Sequence, residues 1–455
     1  MDGRTIAAIA TPQAAGGIGI IRISGENALT IAEKVFSPVS GASLSRSAGY
    51  RAYFGRVANE GKDIGEAICL VFRAPHSYTG EDVAEISLHG GLFVMQKALE
   101  TVFSAGARPA EAGEFTKRAF LNGKLDLSGA EAVMSMIHAQ NEQAARAAQN
   151  ALDGALSREI NAAAKEIIAV AANIAAWVDY PDDDIDDISG ERLMEVFSKT
   201  KKMLEGLLSR FDSGQAITEG VPAAIAGRPN VGKSALMNLL TGYERSIVTP
   251  YAGTTRDVIE ETVRVGNVVL RLSDTAGIHD TDDPVESVGI GFARKKQERA
   301  SLIIAVFDGS EELTDGDLEL LDFCSKRTSI AVINKTDIGQ RLDVSLISSY
   351  IEKTVEISAA TGDGLEELQE AVEHALGTDN FDPSSAMLAT ERQRGCCRRA
   401  VGYIDEAIAA VESGMTLDAV GVCADACIGA LLELTGEKAG DAVINEVFAS
   451  FCVGK

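Results

Sequence analysis

Four short segments of the chain carry residue types whose order fits the holding of a nucleotide. Gly227-Arg228-Pro229-Asn230-Val231-Gly232-Lys233-Ser234 follows an apolar run and opens a helical stretch. In such a loop the glycines turn backbone N–H groups toward phosphate oxygens, the lysine places positive charge on the β- and γ-phosphates, and the serine hydroxyl can ligate Mg²⁺. The predicted contacts are Asn230, Val231, Gly232, Lys233, Ser234 and Ala235. Asp274-Thr275-Ala276-Gly277 ends a later apolar run, which suits an aspartate reaching Mg²⁺ through water and a glycine N–H meeting the γ-phosphate. Asn334-Lys335-Thr336-Asp337 ends another. A carboxylate at Asp337 accepts the paired N–H donors on one edge of guanine, which adenine lacks, so the expected nucleotide is GTP. Ser358-Ala359 follows, with a backbone N–H expected to meet the guanine carbonyl.

Between the first two segments lies Gly253-Thr254-Thr255-Arg256-Asp257, which fits a switch threonine that completes a Mg²⁺ shell while GTP is bound. Ile278 occupies the position where small signalling GTPases carry a water-orienting glutamine. Isoleucine cannot polarise water, so another group must place the nucleophile and extra positive charge must come from elsewhere.

These loops need strand ends and helix starts to hold them. Short apolar runs at 223–226, 268–272, 302–307 and 330–333, separated by helical segments, predict a doubly wound P-loop α/β sheet over 216–377. Residues 1–120 alternate apolar runs with Gly-rich turns. Strands are predicted at 18–23, 67–72 and 83–88 and helices at 92–103 and 114–121, an α+β pattern. Residues 121–215 are rich in Ala, Glu, Gln and Lys and read as long helices at 130–151, 156–178 and 191–210, interrupted by an acidic break at Asp182, Asp183, Asp184, Asp186 and Asp187. Residues 378–455 return to helix. The simplest organisation inserts the α/β domain between two parts of one helical domain, because domain termini often lie close together.

Composition agrees with a globular, multidomain protein: 455 residues, 46% hydrophobic and 24% charged. A net charge of −25 argues against a broad electropositive coat for nonspecific nucleic-acid binding. The densest basic cluster, Arg392, Arg394, Arg398 and Arg399, reads either as a solvated helix face or as a tRNA contact. No apolar run is long enough to span a bilayer, and residues 1–10 lack a secretory pattern, so a cytoplasmic protein with reduced thiols is expected. The spacing of the cysteines makes a poor zinc site.

Four further segments, TIAAIATPQAAGGIGIIRISG, PHSYTGEDVAEISLHGG, GEFTKRAFLNGKLDL and the terminal FCVGK, join the nucleotide motifs with GTTRD to bring a family into view. Together, in this order, they resemble the MnmE (TrmE) family of tRNA wobble-uridine modification GTPases over essentially the whole length. The resemblance implies an N-terminal domain that binds a tetrahydrofolate derivative (5-formyl or 5,10-methylene) and forms a homodimer, and a helical domain split by the G domain. It also implies a flavin-dependent partner of the MnmG (GidA) type, in a heterotetramer, and tRNA as substrate. By the same resemblance Asn230, Thr249, Tyr251 and Thr254 match the K⁺ site, Ser234 and Thr255 the Mg²⁺ ligands, and Glu286 a catalytic glutamate that positions water. Without the resemblance, Glu286 reads as a surface carboxylate. Arg22, Glu85, Lys124 and Lys455 match folate-contacting positions; a carboxylate suits a pterin's donor edge and cations suit its glutamate tail. Cys452 is either an accessible nucleophilic thiolate or a small residue supporting that pocket. Ala112, Gly129, Pro250 and Tyr251 depart from the usual family residues. Two other readings remain: a ribosome-assembly GTPase switch, and a folate-dependent transferase with a regulatory GTP site.

Overall fold

The computed structural model describes residues 4–59, 61–179, 189–243, 260–273 and 300–454. It divides into two compact units: residues 1–134, 156–204 and 395–455 form one, and 135–155 with 205–394 form the other.

The first unit is organised by a seven-stranded sheet of order β3-β4-β5-β6-β2-β1-β7. Its strands are β1 (Ile6–Ile9), β2 (Gly19–Ser24), β3 (Phe36–Pro38), β4 (Arg51–Asn59), β5 (Lys62–Phe72), β6 (Val83–Leu88) and β7 (Arg108–Pro109). All pairings are antiparallel except β1 with β7. The predicted strands at 67–72 and 83–88 are present. The run at 18–23 forms β2 one residue later, and β1, β3, β4 and β7 were not predicted. Period-two alternation sorts the two faces of the sheet. Ile21 and Ile23 join Ala7, Val71 and Ile86 in a core with α1 (Ala28–Val35) and α2 (Leu92–Ser104). Ile6 and Ala8 instead pack with Phe115 of α3 (Glu114–Leu121). Ala8 pairs with Arg22, and Arg22 with Glu85, so these polar residues share the Phe115 face.

The stretch read as one helix at 130–151 is two helices, α4 (Leu127–His138) and α5 (Glu142–Leu152). Asn141 ends the continuity. Its backbone is extended, its side chain accepts the Ala144 N–H at 2.7 Å, and its amide donates to Ile217 O at 3.0 Å. An asparagine that caps in this way competes with helix continuation. Then come α6 (Ala155–Asp179), α7 (Gly190–Ser209) and α8 (Phe211–Thr218). The acidic break at 182–187 lies outside the described residues.

The second unit carries a six-stranded sheet of order β13-β12-β11-β8-β10-β9, parallel except for the β9–β10 hairpin. Its strands are β8 (Val221–Ala226), β9 (Glu260–Val265), β10 (Val268–Ser273), β11 (Leu302–Asp308), β12 (Ser329–Asn334) and β13 (Lys353–Glu356). Strand β11 is buried along its whole length. Leu302, Ile304 and Val306 enter the core shared with α9 (Lys233–Tyr243) and α12 (Leu365–Ala375), while Ile303, Ala305 and Phe307 enter the core with α10 (Asp315–Cys324) and α11 (Val344–Tyr350). Burying each large aliphatic side chain contributes about 1.5–3 kcal/mol, so a sheet packed on both faces fixes its strand ends firmly. Strand β8 sits between β11 and β10, which makes its carboxyl end the point where strand order reverses, the usual ligand-binding crevice of such sheets. Helices α13 (Glu391–Glu412), α14 (Leu417–Thr435) and α15 (Asp441–Ala449) complete the chain.

Candidate functional site

The loop between β8 and α9 has the conformation a phosphate cradle needs. Asn230 is exposed and left-handed at φ 65°, and Gly232 is left-handed at φ 98°. A Cβ at Gly232 would strike the side-chain nitrogen of Asn334, so only glycine fits there. Lys233 folds back and donates to Gly227 O at 3.0 Å and Arg228 O at 2.6 Å, which holds its ammonium over the loop. Ser234 stands in the first turn of α9, where backbone N–H groups favour anions.

Asn334 knots this loop to the second one. Its side chain is buried; the amide donates to Val231 O at 2.9 Å and the oxygen accepts the Ala359 N–H at 2.9 Å. The exposed Asp337 carboxylate is oriented by a 2.7 Å bond from the buried Ser358 hydroxyl. The backbone donors of the Ser358-Ala359 pair are already engaged, Ser358 N–H with Asp363 O at 3.0 Å and Ala359 N–H with Asn334. A guanine carbonyl at this loop would therefore have to share or displace those bonds.

Two carboxylates that motif reading missed hold these loops from behind. Asp308, at the end of β11, receives Lys335 Nζ at 2.6 Å on one oxygen and the Ser310 N–H and hydroxyl, at 3.0 and 2.6 Å, on the other. Burial pushes the Asp308 carboxyl up, but the bonds from Lys335 and Ser310 outweigh it and hold it below the ordinary carboxylate range. Asp317, in the first turn of α10, receives Arg228 Nε at 2.9 Å and the Thr314 N–H and hydroxyl at 2.9 and 2.8 Å. A sequence signal was present, since DGSEELTDGD follows the β11 run and contains a helix-capping pattern. Thr249, Tyr251, Thr254, Thr255, Asp274, Thr275, Ala276, Gly277 and Glu286 lie outside the described residues.

The first unit brings together residues far apart in sequence. Arg22 of β2 faces Glu85 of β6, with Nε 2.8 Å from Oε1, and both are largely buried. The guanidinium lies 5.2 Å from the Tyr78 ring and 5.6 Å from the Phe115 ring. It also donates to Gly454 O at 3.3 Å. The terminal segment reaches this place by docking on the loop before α3. Val453 bridges Ala112, Gly113 N–H donates to Cys452 O at 3.3 Å, and Gly454 lies at φ 102° so close to the Ile9 carbonyl that no side chain would fit. Cys452 is exposed. Lys124 is exposed and donates to Pro75 O at 3.1 Å, and no contact joins it to the Arg22–Glu85 pair. Lys455 is outside the described residues.

Tyr78 and Phe115 were not predicted for this site, although both fall within quoted motifs. Burial pushes the Tyr78 hydroxyl up, partly offset by its 2.8 Å bond with Thr116 and by Arg22. Beneath them is a charged network. The buried Arg118 pairs with Glu81 at 3.0 Å and Glu114 at 3.0 Å and caps Arg4 O at 2.9 Å; Arg108 also grips Glu114. Burial pushes the Glu114 carboxyl up, but Arg108, the Glu111 N–H and Arg118 together hold it below its ordinary value. In the basic cluster, Arg394 stacks 4.6 Å from the Phe211 ring and pairs with Glu391, and Arg399 pairs with Glu433 at 2.7 Å.

Two family models match the chain. One, described as the GTP-binding protein TrmE N-terminus, covers residues 5–124, and the other, the MnmE helical domain, covers residues 127–452. The tRNA modification GTPase MnmE of Clostridioides difficile (strain 630) is 39% identical over 454 residues, covering 99% of each chain. Its namesake in Lactococcus lactis subsp. cremoris (strain MG1363) is 41% identical over 453 residues, 99% of this chain and 98% of the relative. The Symbiobacterium thermophilum protein of the same name is 40% identical over 459 residues, the full length of both.

Proposed function

The chain belongs to the MnmE (TrmE) family, and on that premise we propose that this tRNA modification GTPase couples GTP hydrolysis to building an aminomethyl-type group at C5 of the tRNA wobble uridine. In this reading a tetrahydrofolate derivative supplies the one-carbon unit in the first unit. A flavin-dependent protein of the MnmG type joins the homodimer to complete the chemistry.

The observation that carries the nucleotide half is the Asn334 knot, which ties the phosphate loop to the base loop at a fixed separation. Two loops tied together in this way need less rearrangement to hold one ligand across them, with the Ala359 N–H shared between Asn334 and the guanine carbonyl. Lys233 and the N–H groups opening α9 take the phosphates, and Asp337, steadied by Ser358, takes the guanine edge. The residues fit the cations of the family: Ser234 with Thr255 would hold Mg²⁺, and the exposed left-handed Asn230 with Thr249, Tyr251 and Thr254 would hold K⁺. When bound, those ions supply positive charge against the charge that develops on the transferring phosphoryl group. Glu286 then orients the attacking water.

The folate half is supported by the donor set on the Phe115 face. Arg22, beside the Tyr78 and Phe115 rings, and its ion-pair partner Glu85 offer a cation and a carboxylate, a combination suited to a flat heterocycle with a donor edge and an anionic tail. The exposed Cys452 sits one residue from Val453 on the docked tail. The decisive experiment measures GTP hydrolysis with K⁺ or Na⁺, with and without the flavoprotein and tRNA, alongside nucleoside analysis of tRNA from a deletion strain. Unchanged wobble uridines in that strain would reject the modification reading. Absence of saturable tetrahydrofolate binding would leave a GTPase switch.

A further inference from the structure

We propose that residues 308–317 form a brace for the nucleotide, in which Asp308 positions the base side through Lys335 and Asp317 positions the phosphate side through Arg228. The inference rests on the GTP-site reading above and assigns roles to two residues outside its motifs.

The geometry is that of one short segment gripping both loops. At its start, Asp308 is 4% exposed and its carboxylate is fully engaged by Lys335, Ser310 N–H and the Ser310 hydroxyl. Lys335 has a left-handed backbone at φ 65°, a conformation that costs energy for any residue with a side chain and persists only when neighbours enforce it. The enforcing contacts come from the same segment: Gly309 N–H donates to Asn334 O at 2.8 Å, and Arg341 N–H donates to Gly309 O at 2.8 Å. The ion pair therefore fixes the direction of the Lys335 side chain beside Asp337. At the far end, Asp317 is 1% exposed. It is held by Thr314 and presents its charge to Arg228, the second residue of the phosphate loop, whose carbonyl in turn accepts from Lys233. A buried, bonded carboxylate aimed at each loop loses little entropy when the nucleotide binds, which is the value of a supporting shell. Neither aspartate touches the nucleotide in this scheme, so both are positioning residues.

The test uses the full chain and stopped-flow release of a fluorescent N-methylanthraniloyl-GDP. Asp308→Asn and Asp317→Asn should each speed release about tenfold, the weight of one charge-assisted hydrogen bond. The effect of Asp308→Asn should vanish in a Lys335→Ala background, and that of Asp317→Asn in an Arg228→Ala background. A general loss of stability would not give this pairwise cancellation. Competition by inorganic tripolyphosphate, which has no base, should be weakened by Asp317→Asn and unaffected by Asp308→Asn. If Asp317→Asn does not fold, Arg228→Gln reads the same link from its more exposed end. Wild-type release rates in the single variants, or effects that persist undiminished without the partner, would overturn the brace while the GTP site stands. Failure of the unmodified chain to bind the probe would overturn the GTP-site reading and the brace with it.

Discussion

The phosphate-and-base site of the second unit and the Arg22 face of the first are assembled in opposite ways. Each nucleotide loop is a short local segment hung from the end of a strand of the parallel sheet, and it brings its own side chains and backbone N–H groups with it. The Arg22 face gathers side chains from β2, from β6 and the segment before it, and from α3, with a backbone carbonyl of the docked C-terminal tail. A site built from local loops tolerates change in side chains that neither shape the loop nor touch the ligand. A site of converging side chains fails when any supporting contact is removed, because each buried polar group depends on its partners.

The largest effect should come from the support of the side-chain-built face. Arg118→Ala removes the buried guanidinium that Glu81 and Glu114 share, leaving Arg108 as the remaining cation on Glu114, and should cost roughly 3–5 kcal/mol, read as a lowered first transition in thermal unfolding. An unfolding profile like that of the unmodified chain would show that the network is dispensable. Next, Asp337→Asn removes the acceptor for the guanine donor edge and should weaken GTP binding about hundredfold or more, measured by fluorescence titration. Unchanged binding would mean that the base is read elsewhere.

A smaller change separates the two regions directly. Arg22→Met should weaken binding of a tetrahydrofolate derivative about tenfold through loss of a charged contact, with GTP affinity unaltered in parallel titrations. Equal losses at both sites would erase the contrast. The smallest effect concerns acid stability. Glu114 is held below its ordinary 4.5, so its contribution is complete above that pH and is lost as pH falls through its lower folded value. Glu114→Gln should therefore flatten the acid limb of a stability-versus-pH curve below about pH 4.5, and an unchanged slope would count against the network's role.

Much of the candidate nucleotide site is readable as motifs, because those motifs are local. Gly232, Lys233, Asn334 and Asp337 announce themselves by type and neighbours, and the apolar runs before them locate the strand ends. Asp308 and Asp317 were not singled out, since a carboxylate in an acidic stretch reads as solvated until its partner is seen across the sheet. In the first unit, Arg22 and Glu85 came from resemblance, not from pattern. Tyr78, Phe115 and the Arg118 network were missed because their partners lie on other elements and no periodicity links them. Asn141 shows a milder case: a capping asparagine inside an alanine-rich stretch is visible, but continuous helical composition obscures the break.

By itself the sequence determined the family, the positions of the strands at 67–72, 83–88, 302–307 and 330–333, and the guanine-nucleotide motifs. Backbone conformation and strand periodicity are local consequences of glycine placement and apolar spacing, and they survive translation into a linear code. Only the tertiary structure decided that Asn334 joins two loops, that the terminal Cys452-Val453-Gly454 segment docks beside Arg22, and that buried aspartates stand behind the nucleotide loops. Those outcomes depend on which faces of sheets and helices meet. That meeting is set by the burial of apolar surface summed over many residues, not by any residue's immediate neighbours.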